Sequence, residues 1–202
     1  MAYSNFTLGE VKKVFQIDET VEAENLFSDI EPIVPSSVLT AVLERNMQVA
    51  LAVNTEKAKS ELIVANVLIE LREKFERRIS LFSGIEFNVD AENGLTGVCD
   101  FLVSLSPARF VLEAPIIILV EAKKDDLTVG LGQCVAEMHA AQRFNAENGN
   151  DIPRVYGATT SGTEWLFLKL EGQKLYIDAE FYSIHACDKI LGILASMVEQ
   201  KA

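Results

Sequence analysis

Apolar positions along the chain fall into two periodicities. Between residues 55 and 78, Leu62, Val64, Val67, Leu68, Leu71 and Phe75 recur mostly at three- and four-residue intervals, which lays them along one stripe of a helix. Thr55 stands ready to cap it, Glu56 and Glu61 lie early, and Arg72, Arg77 and Arg78 lie late, as the helix dipole favours. The pattern then lengthens into three extended runs over 79–90, 95–106 and 115–123, divided by Asn93-Gly94 and by Ser106-Pro107. In the third, Ile116, Ile117, Ile118, Leu119 and Val120 are apolar at every position, as in a central strand covered on both faces.

Gly130-Leu131-Gly132 opens a second helix to about residue 147. Strands follow over 154–160 and 164–170, with an extra one near 174–179 and a closing helix over 185–200. Upstream, Pro35 and Ser36 announce a helix over 37–52. From residue 55 onward the order αβββαβ predicts an α/β fold with a mixed central sheet flanked by helices. Residues 1–34 hold seven acids against Lys12 and Lys13 and are expected to form an acidic N-terminal extension, leaving 35–202 as a single domain.

No apolar stretch approaches the roughly 20 residues that cross a bilayer, and the N-terminus lacks the basic, apolar start of a secretory signal. A cytoplasmic protein that does not engage membranes is therefore expected. Cys99, Cys134 and Cys187 are odd in number and widely spaced, so they suggest reduced packing residues and neither a disulfide nor a zinc site. With His139 and His185 the only histidines, a metal here would be a hard, oxygen-bound one. The net charge of −12 argues against a broad phosphate-binding surface.

Glu121 and Lys123 are two apart in an extended run, so their side chains project together while Ala122 points away. Asp100, in the preceding run, can come alongside Glu121 across a hairpin. Two carboxylates plus the Ala122 carbonyl are enough protein oxygens for magnesium or manganese, and a neighbouring lysine can stabilise developing charge.

This Asp100…Glu121-Ala122-Lys123 spacing, with its helix and strand order, resembles the PD-(D/E)XK nuclease superfamily, the restriction endonuclease-like proteins, and in particular its uncharacterised cyanobacterial-type members. The likeness spans about residues 56 to 170 and implies a restriction endonuclease-like core. Asp100 then stands for the motif aspartate, and Glu121 and Lys123 for the E-x-K. Glu61 corresponds to the acid of the first core helix, and Gln133 to the glutamine of a Q-x-x-x-Y-like motif whose tyrosine is here Glu137. Cys99 replaces the motif proline. The resemblance implies a magnesium-dependent endonuclease with DNA rather than RNA as substrate, and a homodimer, since a duplex cutter needs two sites; no heptad signature marks one.

Plainer readings stand beside these. Glu121 and Lys123 also suit a solvated strand end, Asp100 a hydrogen-bonded strand residue, Glu61 a surface partner of Lys57, and Gln133 a helix start. His139 reads as a packed histidine before a general base, and the run from Thr159 to Thr163 as a turn. A nuclease-like module without catalysis, binding a basic protein partner, is the second class of function consistent with the sequence. A basic groove formed by Lys123, Lys124, Arg143 and Arg154 would favour nucleic acid over that class.

Overall fold

A computed structural model describes residues 2–20, 25–108, 110–150 and 152–200. Glu22 and Glu24 of the acidic stretch lie outside the described residues. In chain order the elements are α1 (Leu8–Phe15), β1 (Asp18–Thr20), α2 (Ser37–Val53), α3 (Glu56–Lys59), a π-helical turn (Ser60–Val64) and α4 (Ala65–Lys74). Then come β2 (Ser80–Glu86), β3 (Val98–Ser104), β4 (Ile116–Ala122), α5 (Leu131–Glu147), β5 (Arg154–Thr160), β6 (Glu164–Glu171), β7 (Lys174–Ile177), β8 (Tyr182–Ser183) and α6 (Cys187–Val198). The class is α/β, with a mixed sheet between helical layers.

The sheet runs β1-β7-β6-β5-β4-β3-β2, with β8 also on β6. β2, β3 and β4 form an antiparallel meander, and α5 carries the chain from β4 over to β5, which runs parallel to it. Every residue of β4 is buried, as its unbroken apolar run predicts. Side chains of α2, α4 and α6 form the core on one face, including Leu39, Leu68 and Ile193. Side chains of α1 and α5 form the other, including Val11, Cys134 and Met138. All three cysteines are free and buried.

The helix expected over 55–78 is one continuous helical run in three pieces, and it stops earlier, at Lys74. Glu76 and Arg77 take left-handed backbone angles (φ 52° and 62°), which end it. Inside it, the π turn widens the ladder, and the Leu62 carbonyl accepts from both Asn46 and Asn66 side-chain amides (3.1 and 3.0 Å). Lys59, at the start of that turn, is buried and donates to the Lys124 carbonyl at 2.7 Å, tying this helix to the chain leaving β4.

Residues 2–20 are built into the fold. Thr7 and Glu10 form a reciprocal capping box on α1, β1 pairs in parallel with β7, and Tyr3, Phe6, Val11 and Ile17 are buried against α5 and the sheet. The contact depends on Gly132 in the first turn of α5. A Cβ there would lie far inside van der Waals contact of the Phe6 carbonyl oxygen and the Thr7 carbonyl carbon, both backbone atoms. Gly192 of α6 makes the same allowance for the Glu31 carbonyl. Replacing Gly132 with Ala is therefore expected to cost about 2 kcal/mol, the usual scale of forced overpacking, read as a lower midpoint in urea unfolding.

Candidate functional site

The site forms where β4 leaves the sheet. β3 and β4 pair Phe101 with Val120, and one step beyond, Asp100 meets the end of β4. Its Oδ2 accepts from the Ala122 backbone N–H at 2.9 Å, while its own N–H approaches Glu121 Oε1 at 3.4 Å. The β2–β3 register continues unbroken past this point. Ser83 pairs with Phe101 and Ile85 with Cys99, and Gly84 between them takes φ 61°. Gly84 therefore lies across the ladder from Asp100.

Glu121 is 1% exposed and Lys123 17%. Lys123 Nζ donates to Glu121 Oε2 at 2.9 Å and to Gln133 Oε1 at 3.3 Å. The Gln133 amide in turn donates to Glu137 Oε1 at 3.1 Å, one helical turn further along α5. Gly130 leaves the room this needs, because a Cβ there would press on Lys123 Cε at 2.9 Å and on Thr159 Cγ2 at 3.1 Å. Asp100, Glu121, Lys123 and Gln133, picked out by sequence, thus meet in one hydrogen-bonded set.

Glu61 does not join it. Its carboxylate is 63% exposed and its ion pair is with Lys57, four residues back, at 3.6 Å. The acid of this helix whose charge reaches Lys123 is Glu56, in the first turn after the Thr55 cap.

Glu137 is the residue the sequence reading passed over, having been marked only as a missing tyrosine. It is fully buried, and its Oε2 has no hydrogen-bond partner as a carboxylate. Burial first, and then the charge of Glu121, raise its pKa well above the usual carboxylate range; protonated, it donates to Glu121. Burial and the charge of Asp100 push Glu121 up to about 7, against the pull of Lys123. Burial alone would lower Lys123, yet the charges of Glu121 and Asp100 outweigh it and raise its pKa. Several kcal/mol is the scale for burying an uncompensated charge, so Glu137 keeps its proton and Glu121 ionises against Lys123. Around Glu137, the Cys99 and Cys134 thiols and the Tyr3 hydroxyl are all raised, chiefly by burial.

The donor set is one of hard oxygens. Asp100, Glu121 and the Ala122 carbonyl are the oxygens here that could hold a hard cation with water, and a divalent charge would offset the crowding of Asp100, Glu121 and Glu137. Among the described residues no three His, Cys, Asp or Glu side chains form a metal-holding group.

The four cations read as a basic groove are paired, and Arg154 stands at the far end of β5 from Thr159, the residue opposite Glu121. Arg143 bonds Asp90, Arg154 bonds Glu171 at 3.2 Å, Lys124 lies 4.0 Å from Asp125 and Lys123 is held by Glu121. These four cations therefore offer a phosphate backbone little free charge. His139 stacks on Phe15 with ring centroids 4.6 Å apart, and burial lowers its pKa. Ser161-Gly162-Thr163 make the β5–β6 turn, with Thr160 Oγ1 donating to the Glu164 carbonyl. No helix among the described residues is long and apolar enough to cross a membrane.

The raised carboxyls fix the sign of a pH effect. A folded-state pKa above the unfolded one means that ionisation costs stability, so in chelator the fold gains stability as pH falls from about 8 toward about 5. Glu137→Gln is expected to flatten this part of the dependence, giving a variant more stable than the parent at pH 8 and level with it near pH 5, as read from thermal unfolding across pH.

No family model, no curated protein and no solved structure matches the chain.

Proposed function

We propose that the chain is a divalent-metal-dependent phosphodiester hydrolase of the PD-(D/E)XK kind, acting on DNA through Asp100, Glu121 and Lys123 on a restriction endonuclease-like core. The observation that carries this reading is the hydrogen-bonded set joining Asp100, Glu121, Lys123 and Gln133 at the end of a fully buried strand. Charged groups in such a place are costly to a fold that does not use them. The β2-β3-β4 meander followed by α5 and parallel β5 agrees with the proposed core.

Asp100, Glu121 and the Ala122 carbonyl would hold magnesium or manganese. Bound there, the cation supplies positive charge against a phosphate and acidifies water. Lys123 places an ammonium beside the reacting phosphate, where it stabilises charge that develops during cleavage. Gln133 keeps that ammonium in line, and Glu137 fixes which way the Gln133 amide points by accepting from its NH₂ group. The Ala122 N–H holds the Asp100 carboxylate at the end of β4.

A second reading, a nuclease-like module without catalysis that binds a basic protein partner, is favoured by the ion pairing of Arg143 and Arg154 and the net charge of −12. One experiment separates the two: the protein and its Lys123→Ala variant incubated with supercoiled, linear and single-stranded DNA and with RNA, in magnesium, manganese or EDTA. Cleavage that requires metal and falls at least about a hundredfold in Lys123→Ala is expected, the scale of losing one charge-stabilising group. Absent cleavage by the parent in every metal selects the second reading. By calorimetry, Asp100→Asn is expected to abolish manganese binding, whereas Glu61→Gln leaves it within about twofold, as suits a solvent-exposed ion pair.

A further inference from the structure

The sheet face that packs on α2, α4 and α6 is apolar where Ala158, Trp165 and Phe167 lie in the core. At the end of β5 and β6 remote from Thr159 it turns polar. Side chains alternate along a strand, so Arg154 and Tyr156 of β5 face the same way as Ala158, and Lys169 and Glu171 of β6 the same way as Phe167. The ladder sets Arg154 opposite Glu171 and Tyr156 opposite Lys169. Between these four side chains and Phe27, Ser196 and Gln200 lies a cavity of about 340 Å³, the low end of the range for small-molecule sites. Some of its polar groups are satisfied within the protein. Arg154 Nε donates to Glu171 Oε1 at 3.2 Å, and Ser196 Oγ donates to the Ile193 carbonyl at 2.7 Å. Two groups stand apart. The Lys169 ammonium sits over the Tyr176 ring, 4.0 Å from its centroid, and among the described residues it meets no carboxylate. The Gln200 amide is buried, and among the described residues neither its oxygen nor its nitrogen has a hydrogen-bond partner.

We infer that this cavity binds a nucleoside monophosphate, with the phosphate at Lys169 and an edge of the base at Gln200. A side-chain amide offers a donor and an acceptor side by side, the pairing that a nucleobase edge returns. An ammonium is a compact point charge that suits a phosphate. Phe27 and Tyr156, with ring centroids 6.5 Å apart, supply an aromatic wall for the base. The Glu171 carboxylate, which would repel a phosphate, is neutralised by Arg154. Smaller ligands leave part of the site unmet. Inorganic phosphate leaves the buried amide unpaired, and a nucleoside leaves the ammonium without a counter-charge. A nucleoside monophosphate answers both groups at once, and a long strand exceeds the cavity.

The cavity lies at the opposite end of β5 from Thr159 and Glu121, and the inference is independent of the chemistry proposed at β4. Calorimetry of the full chain in EDTA tests it, since the chelator keeps metal-dependent binding and cleavage silent. The probes are the 5′-monophosphates of adenosine, guanosine, cytidine and uridine, the matching nucleosides, and inorganic phosphate. Saturable binding of at least one nucleotide is expected, with its nucleoside and inorganic phosphate each at least about tenfold weaker, the scale of a hydrogen bond to a charged group. Lys169→Met is expected to weaken the nucleotide about tenfold while leaving its nucleoside unchanged. Gln200→Leu is expected to weaken the nucleotide about tenfold while leaving inorganic phosphate unchanged. A general loss of structure would not separate the probes in this way, and circular dichroism confirms that each variant is folded. Three results overturn the inference: no nucleotide binding at millimolar concentration, binding indifferent to both variants, or inorganic phosphate binding as tightly as the nucleotides.

Discussion

The structure turns on a carboxyl cluster that cannot be fully ionised. Glu121 and Glu137 meet in the buried space between β4 and α5, with Asp100 at its edge, and among the described residues only Lys123 brings positive charge to them. The cluster is tolerated because one proton and one ammonium are shared around it. Glu137 holds the proton and Glu121 faces Lys123, while Gln133 spans the distance between Glu137 and Lys123. Each partner is thereby fixed in orientation, and a set of oxygen donors stays concentrated at one end of the sheet.

Much of the surrounding fold serves to hold this arrangement. The apolar β4 anchors Glu121 because every residue before it is buried on both faces. The Ala122 N–H holds Asp100 from one side, and the glycine at position 130 clears space for Lys123 from the other. Lys59 reaches from the π turn to the Lys124 carbonyl and fixes the chain just beyond the site. Tyr3 packs beneath, close enough for Cys99 and Glu137 to act on its hydroxyl, so residues ahead of the first long helix shape the polar centre as well.

The electrostatic character of the molecule is uneven in a way that bears on partners. Arginines that could meet a phosphate are ion-paired, as Arg143 is with Asp90 and Arg77 with Glu73 at 3.0 Å. Exposed pairs of this kind contribute little to stability, yet they reduce the charge left over for a ligand. Helix α2 differs, exposing Val38, Val49, Leu51 and Val53 and carrying charge only at Glu44 and Arg45. A carboxyl-rich site region and an apolar helix face belong to different kinds of contact.

Local chemistry made the principal elements legible. A strand apolar at every position has to be central, a threonine before a three-four stripe has to begin a helix, and two residues spaced i and i+2 in an extended run have to share a side. Those rules fixed β4, the long helical run, and the Glu121–Lys123 pair. Tertiary structure decided what depends on distance along the chain. Glu137 became part of the cluster because α5 crosses back over β4, which no local pattern encodes, and the charge that reaches Lys123 is that of Glu56 while Glu61 turns to Lys57 and solvent, which depends on how the helix is rotated against the sheet. The acidic lead-in gave no periodic signal of its own, yet its Phe6–Thr7 backbone finds a notch at Gly132 that exists only once α5 is formed. Sequence determines which side chains are near one another along an element; only the packing of elements determines which charges must share a proton.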